Sequence, residues 1–187
     1  MIGRLDRVDG DHILETERLT LRRWRDSDFK PFADLNADPR VMAFFPATLS
    51  SNETKSMMKV LEEKFENHGF SFWAVALKTT HEFIGFVGLN IPNYTLPFSP
   101  CVEVGWRLSF AHWGKGYAQE AATASLRYGF KVLMLAEIVS FTSEKNFRSR
   151  RVMEKIGMLR DVHGDFNHPQ LAVDHPLSCH VLYRISN

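Results

Sequence analysis

Two glycines one residue apart, in Trp113-Gly114-Lys115-Gly116-Tyr117-Ala118, carry the strongest chemical signal in the sequence. With no side chain at either position to block close approach, successive backbone N–H groups can turn toward one anion. The alanine-rich helix expected over 115–133 adds its own unpaired N–H groups and the positive end of its dipole. A phosphate or pyrophosphate is the natural guest of such a cradle. Glycine pairs also serve tight turns and close helix–strand packing with no ligand at all, so the signal needs support from its surroundings. Nearby in sequence, Lys145, Arg148, Arg150, Arg151 and Lys155 form a basic cluster. Helix geometry spreads these residues over more than one face, which leaves them either as phosphate contacts, Arg150 and Arg151 first, or as a solvated surface.

Other reactive side chains point less sharply. His163, His168 and His175 have no recognised ligand spacing, and Cys101 and Cys179 make no Cys-x-x-Cys pair, so no metal site is expected. Together with Asp161 and Asp165, these histidines either line a cleft or are ordinary loop residues. Phe44, Phe45, Phe70, Phe72 and Trp73 are first of all core material, with one or two rings available to wall a pocket.

The elements that must position the glycine turn can be read from periodicity. Residues 19–24 alternate as a strand, and Asp26-Ser-Asp28 offers cap side chains to a short helix bearing Phe29, Phe32 and Leu35. After Pro39 and Pro46, Ser51-Asn-Glu-Thr opens a helix whose Met57, Met58, Leu61 and Phe65 recur at helical spacing until His68-Gly69. Residues 70–77 and 83–89 are apolar strands joined by a polar connection of hairpin length. A proline-rich loop over 91–100 precedes a strand at 101–108, then the glycine turn and its helix. A strand at 137–141, a helix at 148–156 ended by Gly157, and strands at 159–166 and 179–185 complete the chain.

These elements fit within 187 residues as one domain, 1–187, with its core over about 16–186. Lys plus Arg number 23 against 22 Asp plus Glu, which excludes the basic excess that drives non-specific nucleic-acid binding. No apolar run reaches membrane-spanning length, residues 1–15 lack the apolar stretch of a signal peptide, and two cysteines suit a reducing compartment; a cytoplasmic location is expected.

The strand Val102-Glu-Val-Gly-Trp-Arg-Leu108, the glycine turn and the segment Asn146-Phe-Arg-Ser-Arg-Arg-Val-Met-Glu-Lys-Ile-Gly-Met158 together resemble the GNAT N-acetyltransferases. The resemblance is specifically to the Rim-type branch, which includes ribosomal-protein N-terminal acetyltransferases. It extends from Thr16-Glu-Arg-Leu to His180-Val-Leu-Tyr-Arg-Ile185. It implies an α/β fold with a mixed, mostly antiparallel seven-stranded sheet, splayed between its fourth and fifth strands, and helices on both faces. It also implies an enzyme that moves an acetyl group from acetyl-CoA directly to a primary amine, either a protein N-terminus or a small molecule, with no metal.

By that resemblance the backbone of Trp106, Arg107 and Leu108 holds the pantetheine arm, and the amides of Gly114, Lys115, Gly116, Tyr117, Ala118 and Gln119 hold the pyrophosphate. Asn146 contacts the cofactor arm, and Ser149 contacts or protonates the sulfur; both also read as helix caps. Two positions depart from the family pattern. Ala111 stands where Gln or Arg is usual, and Met153 stands where many members carry a general-acid tyrosine. Glu103, between Val102 and Val104, is the candidate general base, acting through water; the alternative is a sheet carboxylate paired with Arg107 on the same face. The departures also admit a CoA-binding sensor without turnover. A Rossmann-type nucleotide site is disfavoured, because Gln119 occupies the position of its third glycine.

Overall fold

The structure, a computed structural model, describes residues 13–187, so most of the charged N-terminal stretch lies outside the described residues. Chain order runs β1 (Leu14–Glu15), β2 (Leu19–Arg22), α1 (Phe29–Ala37), α2 (Ser51–His68), β3 (Phe72–Leu77), β4 (Phe83–Asn90) and β5 (Glu103–Leu108). It continues with α3 (Tyr117–Lys131), β6 (Glu137–Ser143), α4 (Phe147–Lys155), β7 (Leu159–Asn167) and β8 (Cys179–Ser186). The strands form one sheet in the order β1-β2-β3-β4-β5-β6-β8-β7, antiparallel throughout except where β5 meets β6. The sheet has eight strands rather than the expected seven. The addition is β1, whose two residues pair Leu14 with Leu21 and Glu15 with Thr20, too short a segment to show alternation in the sequence.

Local chemistry explains where the helices begin and end. Ser50 accepts from the Glu53 N–H while the Glu53 carboxylate accepts from the Ser50 N–H, a reciprocal cap that starts α2; Gly69, at φ 76°, ends it. The helix after the glycine turn begins at Tyr117 rather than 115, because Gly116 sits at φ 83° and is still part of the turn. Ahead of α1, buried Arg22 makes a bidentate pair with buried Asp28 at 2.7 and 2.8 Å, tying β2 to the start of the helix.

Alternation along β4 assigns helices to both faces of the sheet. Phe86 meets Phe32 of α1 edge-on, with centroids 5.9 Å apart. Its neighbour Val87 faces the other way beside its cross-strand partner Trp73, whose ring meets Tyr128 of α3 at 5.3 Å. The core therefore runs through the sheet, with Trp73, Val75, Val87, Leu89 and Ile138 fully buried on the α3 side.

Candidate active site

The glycine turn connects the end of β5 to α3. Gly114 and Gly116 lie at φ 75° and 83°, where L side chains are strained, and a Cβ on Gly114 would meet nothing within 4 Å. Glu120 N–H makes the first helical bond, to the Gly116 carbonyl at 3.0 Å. Among the described residues no hydrogen bond uses the N–H of Gly114, Lys115, Gly116, Tyr117, Ala118 or Gln119. Six consecutive donors are thus left unpaired among the described residues at a helix N-terminus, with open space at Gly114 and the Arg18 guanidinium 3.4 Å from where a Cβ on Gly116 would lie, an arrangement that fits a pyrophosphate.

A brace from the far end of the chain fixes the turn. Arg18 donates to the Lys115 carbonyl at 3.0 Å, pairs with Glu120 at 2.6 Å and stacks over Tyr117 at 4.6 Å. Glu120 also accepts from Thr16 Oγ1 at 2.6 Å and from the Arg18 N–H at 2.9 Å. With its carbonyl held by Arg18, the turn keeps its amides directed outward. On the β5 side, the Trp113 indole donates to the Leu108 carbonyl at 2.8 Å, and the Arg148 guanidinium lies 4.7 Å over the Trp113 ring. Arg148 is therefore the member of the basic cluster beside the turn. Arg150, expected to be among the first contacts, is engaged with the Glu144 carbonyl and the Tyr183 hydroxyl.

From this turn a gap runs into the sheet. β5 and β6 share a single ladder pair, Glu103 with Val139, supported by Val139 N–H to the Val102 carbonyl at 2.9 Å and Ser140 Oγ to the Val104 carbonyl at 2.8 Å. Past Val104 the pairing stops, so the sheet parts between β5 and β6, the fourth and fifth of the seven strands expected. Ser109 N–H bonds the Ile84 carbonyl, and the antiparallel register then turns the polar groups of 103, 105 and 107 toward β4 and those of 104, 106 and 108 toward the gap. This corrects one expectation: Trp106 and Leu108 present backbone groups to the gap, whereas the backbone of Arg107 is directed to β4.

The side chains of Glu103 and Arg107 share the face that α1 covers, but they do not pair. Glu103 accepts from Asn90 Nδ2 at 2.6 Å, and Lys64 donates to Asn90 Oδ1 and to the Ile91 carbonyl. Burial raises the Glu103 carboxyl to about 7, with the Asn90 hydrogen bond and the Lys64 ammonium pulling against it. Arg107 instead donates to Asn36 Oδ1 at 2.6 Å and lies 4.0 Å over Phe45. Between the two, a Cβ on Gly105 would come 3.0 Å from the Phe72 ring. Of the aromatics singled out in the sequence, Phe45 and Phe72 lie on this face beside Phe86, while Trp73 is core.

Asn146 caps α4 by accepting from the Ser149 N–H at 3.2 Å; its Nδ2 donates to Ser149 Oγ and Thr142 Oγ1, both at 3.0 Å. Ser149 Oγ accepts that bond and keeps its own proton to donate. Met153 is buried in the core. Several of the other sequence candidates are committed elsewhere. Asp161 and Asp165 pair with Arg184 and Arg160, and His168 meets the Tyr94 hydroxyl at 3.0 Å, burial lowering it to about 4. No group of three or more ligating side chains that could hold a metal occurs among the described residues. Arg18, Asn36, Lys64, Asn90 and Glu120 escaped sequence reasoning, because each meets its partner only after distant segments are brought together.

A sheet parted beside an open amide cradle is the architecture of an acyl-CoA-dependent transferase, and the comparisons give the family. A model described as an acetyltransferase (GNAT) domain matches residues 18–159. YkkB of Bacillus subtilis (strain 168), an uncharacterized protein, is 35% identical over 149 residues, covering 78% of this chain and 84% of that one. YnaD of the same organism, named an uncharacterized N-acetyltransferase, is 31% identical over 148 residues, covering 79% and 83%. The crystal structure of an acetyltransferase from Agrobacterium tumefaciens str. C58 is similar at 31% identity and a TM-score of 0.76, over 99% of this chain and 100% of that chain. The chain belongs to the GNAT acetyltransferase family, whose members carry out acetyl-CoA-dependent N-acetylation.

Proposed function

We propose that this protein binds acetyl-CoA with the pyrophosphate on the amides of Gly114, Lys115, Gly116, Tyr117, Ala118 and Gln119, and acetylates a primary amine by direct transfer in a ternary complex. The observation that carries this reading is the run of unspent N–H groups opening onto a gap in the sheet. When bound, acetyl-CoA supplies an activated acyl group on a thiolate that leaves readily.

The chain's own residues do the rest. An arm entering from the turn passes Leu108 before Trp106, because the gap closes at Val104. Trp106 N–H is then the donor to the acyl oxygen as charge grows on it, one step deeper than Leu108. Glu103, raised to about 7, takes the proton of the attacking amine through water while Asn90 orients its carboxylate. Ser149 offers its hydroxyl proton to the sulfur, held in place by Asn146. The acceptor is a protein N-terminus or a small-molecule amine, approaching from the α1 face, and the likeness to the Rim-type branch favours the same general reaction.

A reducing, cytoplasmic setting is proposed from the two-cysteine content; no helix among the described residues is long and apolar enough to cross a membrane. Calorimetric titration with acetyl-CoA tests the cofactor reading. Gly114→Asp, which puts a carboxylate where the diphosphate belongs, is expected to weaken binding by about 100-fold or more. Unchanged affinity overturns the assignment of the turn.

A further inference from the structure

Among the described residues two arginines are buried to nearly the same degree, and one of them lacks a counterion. Arg22, 7% exposed, is held by both carboxylate oxygens of Asp28. Arg107, 8% exposed, meets no carboxylate among the described residues. Its Nη1 donates to Asn36, its Nε is buried with no acceptor, and its guanidinium lies over the rings of Phe45 at 4.0 Å and Phe86 at 5.3 Å. A buried guanidinium with unmet donors is costly, since neither solvent nor a fixed anion offsets its charge. Burial lowers Arg107 to about 10, so it is still a cation at neutral pH.

The surroundings hold the guanidinium in place without neutralising it. Asn36 is fully buried, and its Nδ2 donates to Thr54 Oγ1 at 3.2 Å, which leaves Oδ1 facing Arg107. Phe45, stacked on the guanidinium, is 38% exposed, so the buried cation lies beneath a ring that itself reaches the surface. Strand alternation puts Arg107 on the face of β5 that carries Glu103, one residue from Trp106, whose backbone faces the gap.

Resting on the acetyltransferase reading above, we propose that Arg107 is an anchor for a carboxylate on the acceptor, so that the amine acetylated here belongs to an amino acid or peptide-like molecule. The planar fork of a guanidinium matches a carboxylate with two parallel hydrogen bonds. A single cation walled by phenylalanines suits a monoanion with an apolar body better than a phosphate dianion.

Benzoate, a carboxylate on an apolar ring, is the direct probe, titrated by calorimetry into wild-type protein, Asn36→Asp and Arg107→Lys. Asn36→Asp places an isosteric carboxylate against the guanidinium and supplies the missing counterion, so the variant is expected to fold with a raised Tm. Benzoate is expected to saturate the wild type, to bind Asn36→Asp about tenfold more weakly or not at all, and to be retained in part by Arg107→Lys. In parallel, CoA release is followed with paired acceptors, β-alanine against β-alaninamide and phenylalanine against phenylalaninamide. The ratio of kcat/KM for acid over amide is expected to exceed one in the wild type and to fall in Asn36→Asp.

A merely structural Arg107 leaves both readouts unmoved by Asn36→Asp. Equal benzoate binding by the two proteins, or none by the wild type, overturns the proposal. Acetyl-CoA titrated into the wild type reports separately on the underlying reading: if it fails to bind, the cofactor assignment falls whatever benzoate does.

Discussion

At the scale of single residues, the account turns on groups whose charge is set by what surrounds them. The Glu103 carboxyl is raised to about 7 mainly by burial, so it is half ionised near neutral pH. As a base it must be ionised to act, and kcat/KM is expected to rise with pH through about 7 and then level. Glu103→Gln is expected to lose that limb and about 100-fold in rate, read from a pH–rate profile. The stability effect has the opposite sign. A carboxyl raised from 4.5 to about 7 binds its proton more tightly when folded, so this contribution is fully present below 4.5 and lost as pH rises through 7. Glu103→Gln is therefore expected to be more stable than the wild type at pH 8, by chemical denaturation. A base candidate was legible because an acid between two valines on a strand is unusual. Its partner Asn90 and the separate fate of Arg107 were not, because β4 register and the position of α1 decide them.

At the scale of elements, the glycine turn was the most legible feature, since positive φ and a helix start are local properties of the chain. What keeps it open is not local: Arg18 reaches Glu120 across 102 positions. Arg18→Met is expected to free the Lys115 carbonyl and weaken acetyl-CoA binding roughly threefold to tenfold, the side chain being partly exposed and its hydrogen bond charge-assisted. Calorimetry with acetyl-CoA measures this, and undiminished affinity would show that the turn holds its shape unaided. Helix α3 was expected over 115–133 and spans Tyr117–Lys131, because glycine continues the turn for two residues before helical bonding begins. Strands such as Phe83–Asn90 were plain from apolar runs, and α2 begins at Ser51 as expected, with Ser50 as its cap.

At the scale of the whole molecule, one sheet carries the proposed surroundings of both substrates, with the cradle and gap at the β5–β6 parting and the Glu103–Arg107 face beneath α1. The splay was anticipated from family likeness, and its register could not be, since parallel pairing of β5 with β6 depends on the crossover through α3. The placement of α1 over that face rests on Arg22 and Asp28. Asp28→Ala strands a buried guanidinium and is expected to cost about 3–5 kcal/mol, by urea denaturation. A loss below about 1 kcal/mol would mean that solvent reaches the pair. The central claim, that unspent amides beside a parted sheet grip the diphosphate of acetyl-CoA, is tested most directly by an amide NMR titration with acetyl-CoA. The account predicts saturating shifts at Gly114, Lys115, Gly116, Tyr117, Ala118 and Gln119 together with Trp106 and Leu108; saturation that leaves these eight amides unmoved would contradict it.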